Sequence, residues 1–236
     1  MDKTTLSYSN FERLPLQRPV DRVAFIAEAC RGKFVIDIGC LDETALLKRD
    51  SSYWLHGRIS LTARQVVGVD NSQLVPEEGL QTGPTSRILR GDATYIDLGS
   101  AGMEEVDLIV AGEFIEHIEN PSLFLKKIKH RFSGKMLILS TPNGASLSNA
   151  LMGTLRREVQ HPDHLHNFTF KTLHTLCIRA GFQSWEIIPY RFFATEMILK
   201  STGIIQLGAR IAEFGIRMAE IIFPNLAFGY VVRVRI

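Results

Sequence analysis

The 236-residue chain has three cysteines, and they are scattered. Cys30, Cys40 and Cys177 form no CxxC pair and are odd in number. That argues against a disulfide framework and a cysteine-built zinc site, and free thiols in a reducing, cytoplasmic compartment are expected. There is no dense Lys/Arg block, and the net charge is +2. No nucleic-acid partner is therefore expected. The opening MDKTTLSYSN has neither an apolar core nor a cleavage site, so no signal peptide is expected. The most apolar stretch, 195–223, is broken by Arg210, Glu213, Arg217 and Glu220. A spanning helix needs about 20 apolar residues without such a stripe, so no transmembrane segment is expected. No repeat, low-complexity tract or linker divides the chain, and one domain over 1–236 is expected. A last absence concerns glycine. The run VIDIGCLDET, 35–44, opens like a dinucleotide loop, but only Gly39 of the GxGxxG fingerprint is there, and Leu41 holds the second glycine's place. Nicotinamide binding is thus weakly supported.

Apolar residues make up 45% of the chain and charged residues 22%, enough for a full core. Apolar β-rich runs occur at 34–38, 65–69, 86–89, 106–111, 135–140, 185–189 and 230–236. The first five are continuous, as strands covered on both faces should be. Helical stretches lie near 19–30, 120–131 and 169–180. The first puts Pro19 in its opening turn and Val20, Val23, Ala24 and Ala27 on one face. The third opens on Thr169 as cap and closes at Gly181. This alternation predicts an α/β fold, a mostly parallel sheet with helices on both faces. In the 195–223 region the spacing places Arg210/Glu213 and Glu213/Arg217 to pair along one helical stripe. The expected role is an amphipathic helix against the sheet or a partner subunit, with interfacial membrane contact as the alternative.

Acids follow successive strands: Asp37 within the first, Asp70 at the tip of the second, Asp92 after the third, Glu113 after the fourth. Ligands of open α/β sheets sit outside the carboxyl ends of strands. A carboxylate at Asp70 can accept both hydroxyls of a ribose. Asp92 can meet an adenine amino group, with the Ala93 N–H as a backbone donor. One such acid is an ordinary turn residue; four in register point to a nucleotide-bearing cofactor.

With these residues in view, the chain resembles the class I S-adenosylmethionine-dependent methyltransferases, in the broad group of the ubiquinone-biosynthesis O-methyltransferases. VIDIGC, GVD, GDA and FIEHIENP resemble that family's first four motifs. LILSTPN and HNFTFKTLHTLCIRAGF resemble the later strand, turn and helix, and the likeness runs over about 32–182. It implies a Rossmann-like seven-stranded sheet whose last strand is antiparallel. It also implies a helical N-terminal extension (about 1–31) and a helical insertion (about 192–223) over the cleft. S-adenosyl-L-methionine would be the cofactor. By resemblance, Asp37, Gly39 and Cys40 lie beside its methionine end, Asp70 binds the ribose, and Asn71 flanks the adenine. Asp92 and Ala93 hold the adenine edge, and Ala111, Gly112 and Glu113 line the floor. Leu41 can replace the family's glycine only at negative φ or with its side chain turned outward. The segment DSSYWLHGRIS is similar to segments of methyltransferases encoded beside polysaccharide-assembly genes.

Two further groups bear on chemistry. Glu113, Glu116 and His117 share a face if helical, and the ubiquinone group carries a similar ExxEH pattern that holds a divalent metal. The other reading has Glu113 ordering the cofactor loop and His117 hydrogen-bonded to a neighbour. His161, His164 and His166 cluster in HPDHLHNFT. His117, His164 and His166 are the candidate bases, since imidazole titrates near neutral pH. The expected function is methyl transfer to an oxygen of a small molecule or sugar. The alternative is a domain without turnover that binds or scaffolds. A homodimer through the C-terminal helix is the expected assembly.

Overall fold

The structure is a computed structural model and describes residues 6–9, 11–41, 48–49, 51–93, 103 and 105–236. Eight strands form one sheet among these residues: β1 (Phe34–Ile38), β2 (Gln65–Asp70), β3 (Leu80–Gly83), β4 (Ser86–Arg90), β5 (Leu108–Gly112), β6 (Met136–Pro142), β7 (Trp185–Tyr190) and β8 (Gly229–Arg235). Their order is β3-β4-β2-β1-β5-β6-β8-β7. Strands β4, β2, β1, β5 and β6 run parallel. β8 inserts antiparallel between β6 and β7. All seven expected strands form, and the sheet is the mostly parallel Rossmann-like one. β3 is an addition, pairing antiparallel with β4 at the edge. Its LQTG sequence is only half-buried and carries no apolar run to announce it.

Helices are α1 (Arg22–Ala29), α2 (Leu55–Ser60), α3 (Pro121–Arg131), α4 (Leu147–Thr154), α5 (Phe170–Ala180), α6 (Thr195–Lys200) and α7 (Gly203–Ile222). Side chains alternate across a strand, so β1 divides its apolar residues between two layers. Ile36 and Ile38 pack with Phe124 and Leu125 of α3 and Leu173 of α5. Val35 packs on the other face with Ile26 of α1 and Ile59 of α2. Asn120 caps α3 by accepting from the Leu123 N–H at 2.9 Å. Thr169 and Thr172 form a capping box at α5, and Gly181 closes that helix at φ 78°.

The start of α1 differs from the expected one. Asp21, not a residue near Pro19, is the cap, accepting from the Ala24 N–H. Val20 is drawn into the sheet edge: its N–H donates to Pro189 O at 2.9 Å and its carbonyl accepts from Arg191 N. Strand pairing thus takes the residue that the helical period had claimed. The buried face becomes Ile26, Ala27 and Cys30, and Ala24 is exposed. The segment after β5 is also not helical: residues 113–119 form turns, and Glu113 has φ 53°. No helix among the described residues is long and apolar enough to cross a membrane.

Candidate active site

A cleft of about 1690 Å³ opens at the carboxyl ends of β1, β2, β4 and β5, where Gly39, Asp70, Asp92 and Glu113 line it. Asn71, Ala93 and Gly112 also line it. Ala111 does not: it is fully buried in the core between the sheet and α3.

The loop after β1 is held from several sides. Gly39 sits at φ 63°, and a Cβ there would lie 2.4 Å from Cδ2 of Phe114. Only glycine gives both that conformation and that close approach. Leu41 is not among the described residues with positive φ. Its N–H donates to Asp70 Oδ2 at 2.8 Å, and its side chain packs with Trp54, Val75 and Ile88. So the loop tolerates leucine by staying at negative φ, with the side chain turned into an apolar nest. Asp70 Oδ1 accepts from the Ser72 N–H at 2.9 Å. The Trp54 indole N–H donates to Cys40 O at 3.1 Å.

Asp37 is buried beneath this loop, 3.0 Å from His56 Nδ1. A carboxylate accepts, so Nδ1 carries the hydrogen. His56 Nε2 then faces the hydroxyls of Thr82 at 2.9 Å and Ser86 at 3.1 Å. A chain of hydrogen bonds therefore runs from β1 through α2 to the β3–β4 edge. Burial pushes the Cys40 thiol well up, with the charges of Asp37 and Asp70 adding to it, so Cys40 packs as a neutral thiol.

Glu113 faces a different set. Its Oε1 accepts from the Tyr190 hydroxyl at 2.7 Å, and its Oε2 lies 3.3 Å from Arg22 Nη2. The Glu113 N–H donates to Ser140 O at 2.8 Å. Burial, then the Glu113 charge, raises the Tyr190 phenol well above its ordinary range. The positive φ of Glu113 turns its carboxylate to α1 and β7, away from the helical register that would have stacked it on Glu116 and His117.

Glu116 and His117 instead meet the histidine loop. The N–H groups of Leu165 and His166 donate to Glu116 O at 2.8 and 3.2 Å, which fastens that loop here. Ligand atoms of Glu116, His117 and His164 lie within 4.8 Å of one another. The His117 and His164 rings are 4.6 Å apart, with His161 at 5.6 Å from His164. Glu116 is 1% exposed, and among the described residues neither carboxylate oxygen has a partner with hydrogen-bond geometry, though the Thr141 side chain lies beside it. Burial, then repulsion from Glu113, pushes its carboxyl up to about 8. Burial also lowers His117, helped by His161, and lowers His164, helped by His117. Both shifts favour the neutral imidazole. His166 is placed elsewhere: its Nε2 lies 3.0 Å from Ile118 O and 3.3 Å from Glu119 O. There it ties down the loop after β5.

Arg22, Trp54 and Tyr190 also stand at this cleft, and His56 beneath it, beyond the residues expected from the sequence. The WLH segment carried a signal for Trp54 and His56. Nothing local marked Arg22 or Tyr190, whose partner Glu113 is 77 residues from Tyr190.

A family model described as a methyltransferase domain matches residues 11–187, and the chain belongs to that family. It is similar in fold to a SAM-dependent methyltransferase from Archaeoglobus fulgidus, with 16% identity, a TM-score of 0.52 and 90% of each chain covered. An S-adenosylmethionine-dependent methyltransferase from Mesorhizobium loti gives 14% identity and a TM-score of 0.52, covering 91% of this chain and 96% of that one. The small RNA methyltransferase HEN1 gives 17% identity and a TM-score of 0.54, covering 96% of this chain and 26% of that one. No curated protein sequence matches. The chain is an enzyme, a methyltransferase with S-adenosylmethionine as its cofactor.

Proposed function

We propose that the enzyme methylates a hydroxyl oxygen of a small molecule or sugar, using His117 or His164 as the proton acceptor. The observation that carries this reading is the Glu116–His117–His164 cluster, which lines the same cleft as the strand-tip acids. Bound there, the cofactor supplies an electrophilic methyl group on its sulfonium. The chain's part is to bind, orient and remove one proton. Asp70 accepts the ribose hydroxyls from the carboxylate position its two backbone donors hold. Asn71, Asp92 and Ala93 take the adenine end, and Gly39 and Cys40 the methionine end. Gly112 and Glu113 form the floor, while Asp37 acts from below through His56. As the acceptor oxygen takes the methyl group, its proton passes to a neutral imidazole of His117 or His164. The spacing of Glu113, Glu116 and His117 supports kinship with the ubiquinone-biosynthesis group. The WLH segment supports a sugar acceptor. Three buried, unpaired cysteines suit a reducing cytoplasm.

The test is a panel of sugars, phenols and a short RNA, read by mass for the gain of a methyl group. A methylated RNA would overturn the acceptor class. With an acceptor in hand, His117→Ala and His164→Ala are the paired variants. The one that removes the base is expected to lower kcat by about 10²–10⁴ while leaving the cofactor dissociation constant unchanged. If neither changes kcat, both histidines leave the mechanism.

A second reading rests on the unpartnered Glu116 carboxylate. With His117 and His164 it offers two imidazoles and one carboxylate, a donor set suited to a divalent cation. The proton-acceptor reading expects full turnover after exhaustive EDTA treatment. Loss of turnover, restored by magnesium or zinc, would move these residues to a metal site.

A further inference from the structure

We propose that α7 seats this enzyme on an anionic bilayer surface with its apolar face toward the lipid. The helix is 20 residues long, about 30 Å, and its amphipathicity is inverted relative to an ordinary surface helix. Its polar stripe faces the protein. Glu213, 8% exposed, accepts from the Ala194 N–H at 2.8 Å and pairs with Arg217 at 2.7 Å. Glu220, 1% exposed, accepts from the Phe192 N–H at 2.9 Å. The Arg217 guanidinium donates to Phe192 O and lies 4.2 Å from the Phe193 ring centroid. These bonds leave Ile204, Ile205, Leu207, Ile211, Phe214 and Met218 outward, Ile204 at 88% and Phe214 at 67% exposed. A continuous apolar face of this length marks a binding surface.

Charge decides the occupant. Four charged residues lie on α7, and both acids are turned inward. Arg217 is paired, so Arg210 is the exposed charge of the helix. Arg156, Arg157 and Glu158 are exposed just beyond α4, which packs against α7, and the exposed Lys200 of the neighbouring α6 is paired with Glu196. With Glu158 offsetting one arginine and Glu196 offsetting Lys200, the outward charge beside the apolar stripe is net cationic, the sign expected of a helix lying in an anionic membrane interface. A second copy fits less well. Arg210 lies near the middle of α7, and a two-fold pairing across that face would bring two uncompensated guanidinium groups together. The inner side of the same helix, through Ala209, Ala212 and Ile216, lines the cleft. Docking therefore brings the cleft to the bilayer.

The full-length protein would be sedimented with phosphatidylcholine vesicles, with and without phosphatidylglycerol. Binding to the anionic vesicles only, weakened by salt, is expected. Arg210→Glu should weaken it by about fivefold or more, since one basic residue near such a surface contributes about 1 kcal/mol. Phe214→Glu with Met218→Glu should abolish it, with the circular dichroism spectrum and S-adenosylmethionine affinity unchanged. No binding to either vesicle overturns the proposal, as does equal binding to both. Particles that halve in mass by light scattering in Phe214→Glu, without vesicle binding by the wild type, would give the face to a second copy instead.

Discussion

Leu41 shows how a broken motif can keep its geometry. Its N–H is spent on Asp70 and its side chain on Trp54, Val75 and Ile88. Leu41→Ala is expected to cost about 2–3 kcal/mol in denaturant unfolding, from lost burial and a residual cavity. A cost below about 0.5 kcal/mol would show that the nest does not hold the loop. Gly39→Ala should be worse for function, because the added methyl meets the Phe114 ring in a left-handed backbone. Weaker cofactor binding, read by calorimetry, is the expected outcome; unchanged affinity would mean that ring and loop move apart freely. The strand-tip acids Asp70, Asp92 and Glu113 were legible because each follows an apolar run. His56 was not, because the group that defines it, Asp37, is 19 residues away and meets it only through packing of α2 on the sheet. Contact between distant segments leaves no period in the sequence.

Periodicity places the C-terminal helix but does not say which side faces the protein. The stripe of Arg210, Glu213, Arg217 and Glu220 is the polar side of an amphipathic helix, and in the structure both of its acids are buried. Backbone N–H groups of Phe192 and Ala194 need acceptors, and the two glutamates supply them. That requirement comes from the loop after β7, not from the helix. The ExxEH turn behaves similarly: the expected i, i+3, i+4 face dissolves because Glu113 takes a positive φ. A pH test follows for the buried helix. Burial pushes the Glu220 carboxyl up to about 7, from an ordinary value near 4.5. Below that ordinary value the group is protonated whether the chain is folded or unfolded. Between the two values the folded protein keeps a proton that the unfolded chain releases. Its contribution to stability therefore falls as pH rises through this window to about 7. Glu220→Gln keeps an oxygen for the Phe192 N–H and has no proton to lose. Its unfolding free energy should vary less with pH and exceed the wild type's above pH 7 by about 1–3 kcal/mol. A difference between the two proteins that is constant with pH would refute this assignment.

At the scale of the whole molecule, the strand order determines where the acids meet. β1 lies between β2 and β5, so the chain leaves the sheet in opposite directions on either side of Gly39, and a crevice opens there. Continuous apolar strands and capped helices made this parallel sheet legible, and Thr169 and Gly181 marked α5 to the residue. The proposed acceptor end was less legible, because that part of the cleft is lined by the turn after β5, the histidine loop and α7, which are far apart in sequence. The cofactor end is therefore where the account is most exposed to refutation. Calorimetric titration of S-adenosylmethionine into the wild type and Asp70→Ala tests it most directly. The account expects saturable one-to-one binding in the wild type. It expects an affinity roughly ten- to a hundredfold weaker in the variant, since hydrogen bonds to a charged acceptor contribute about 1.5–3 kcal/mol. No heat with the wild type, or the same dissociation constant in a folded Asp70→Ala protein, would contradict it.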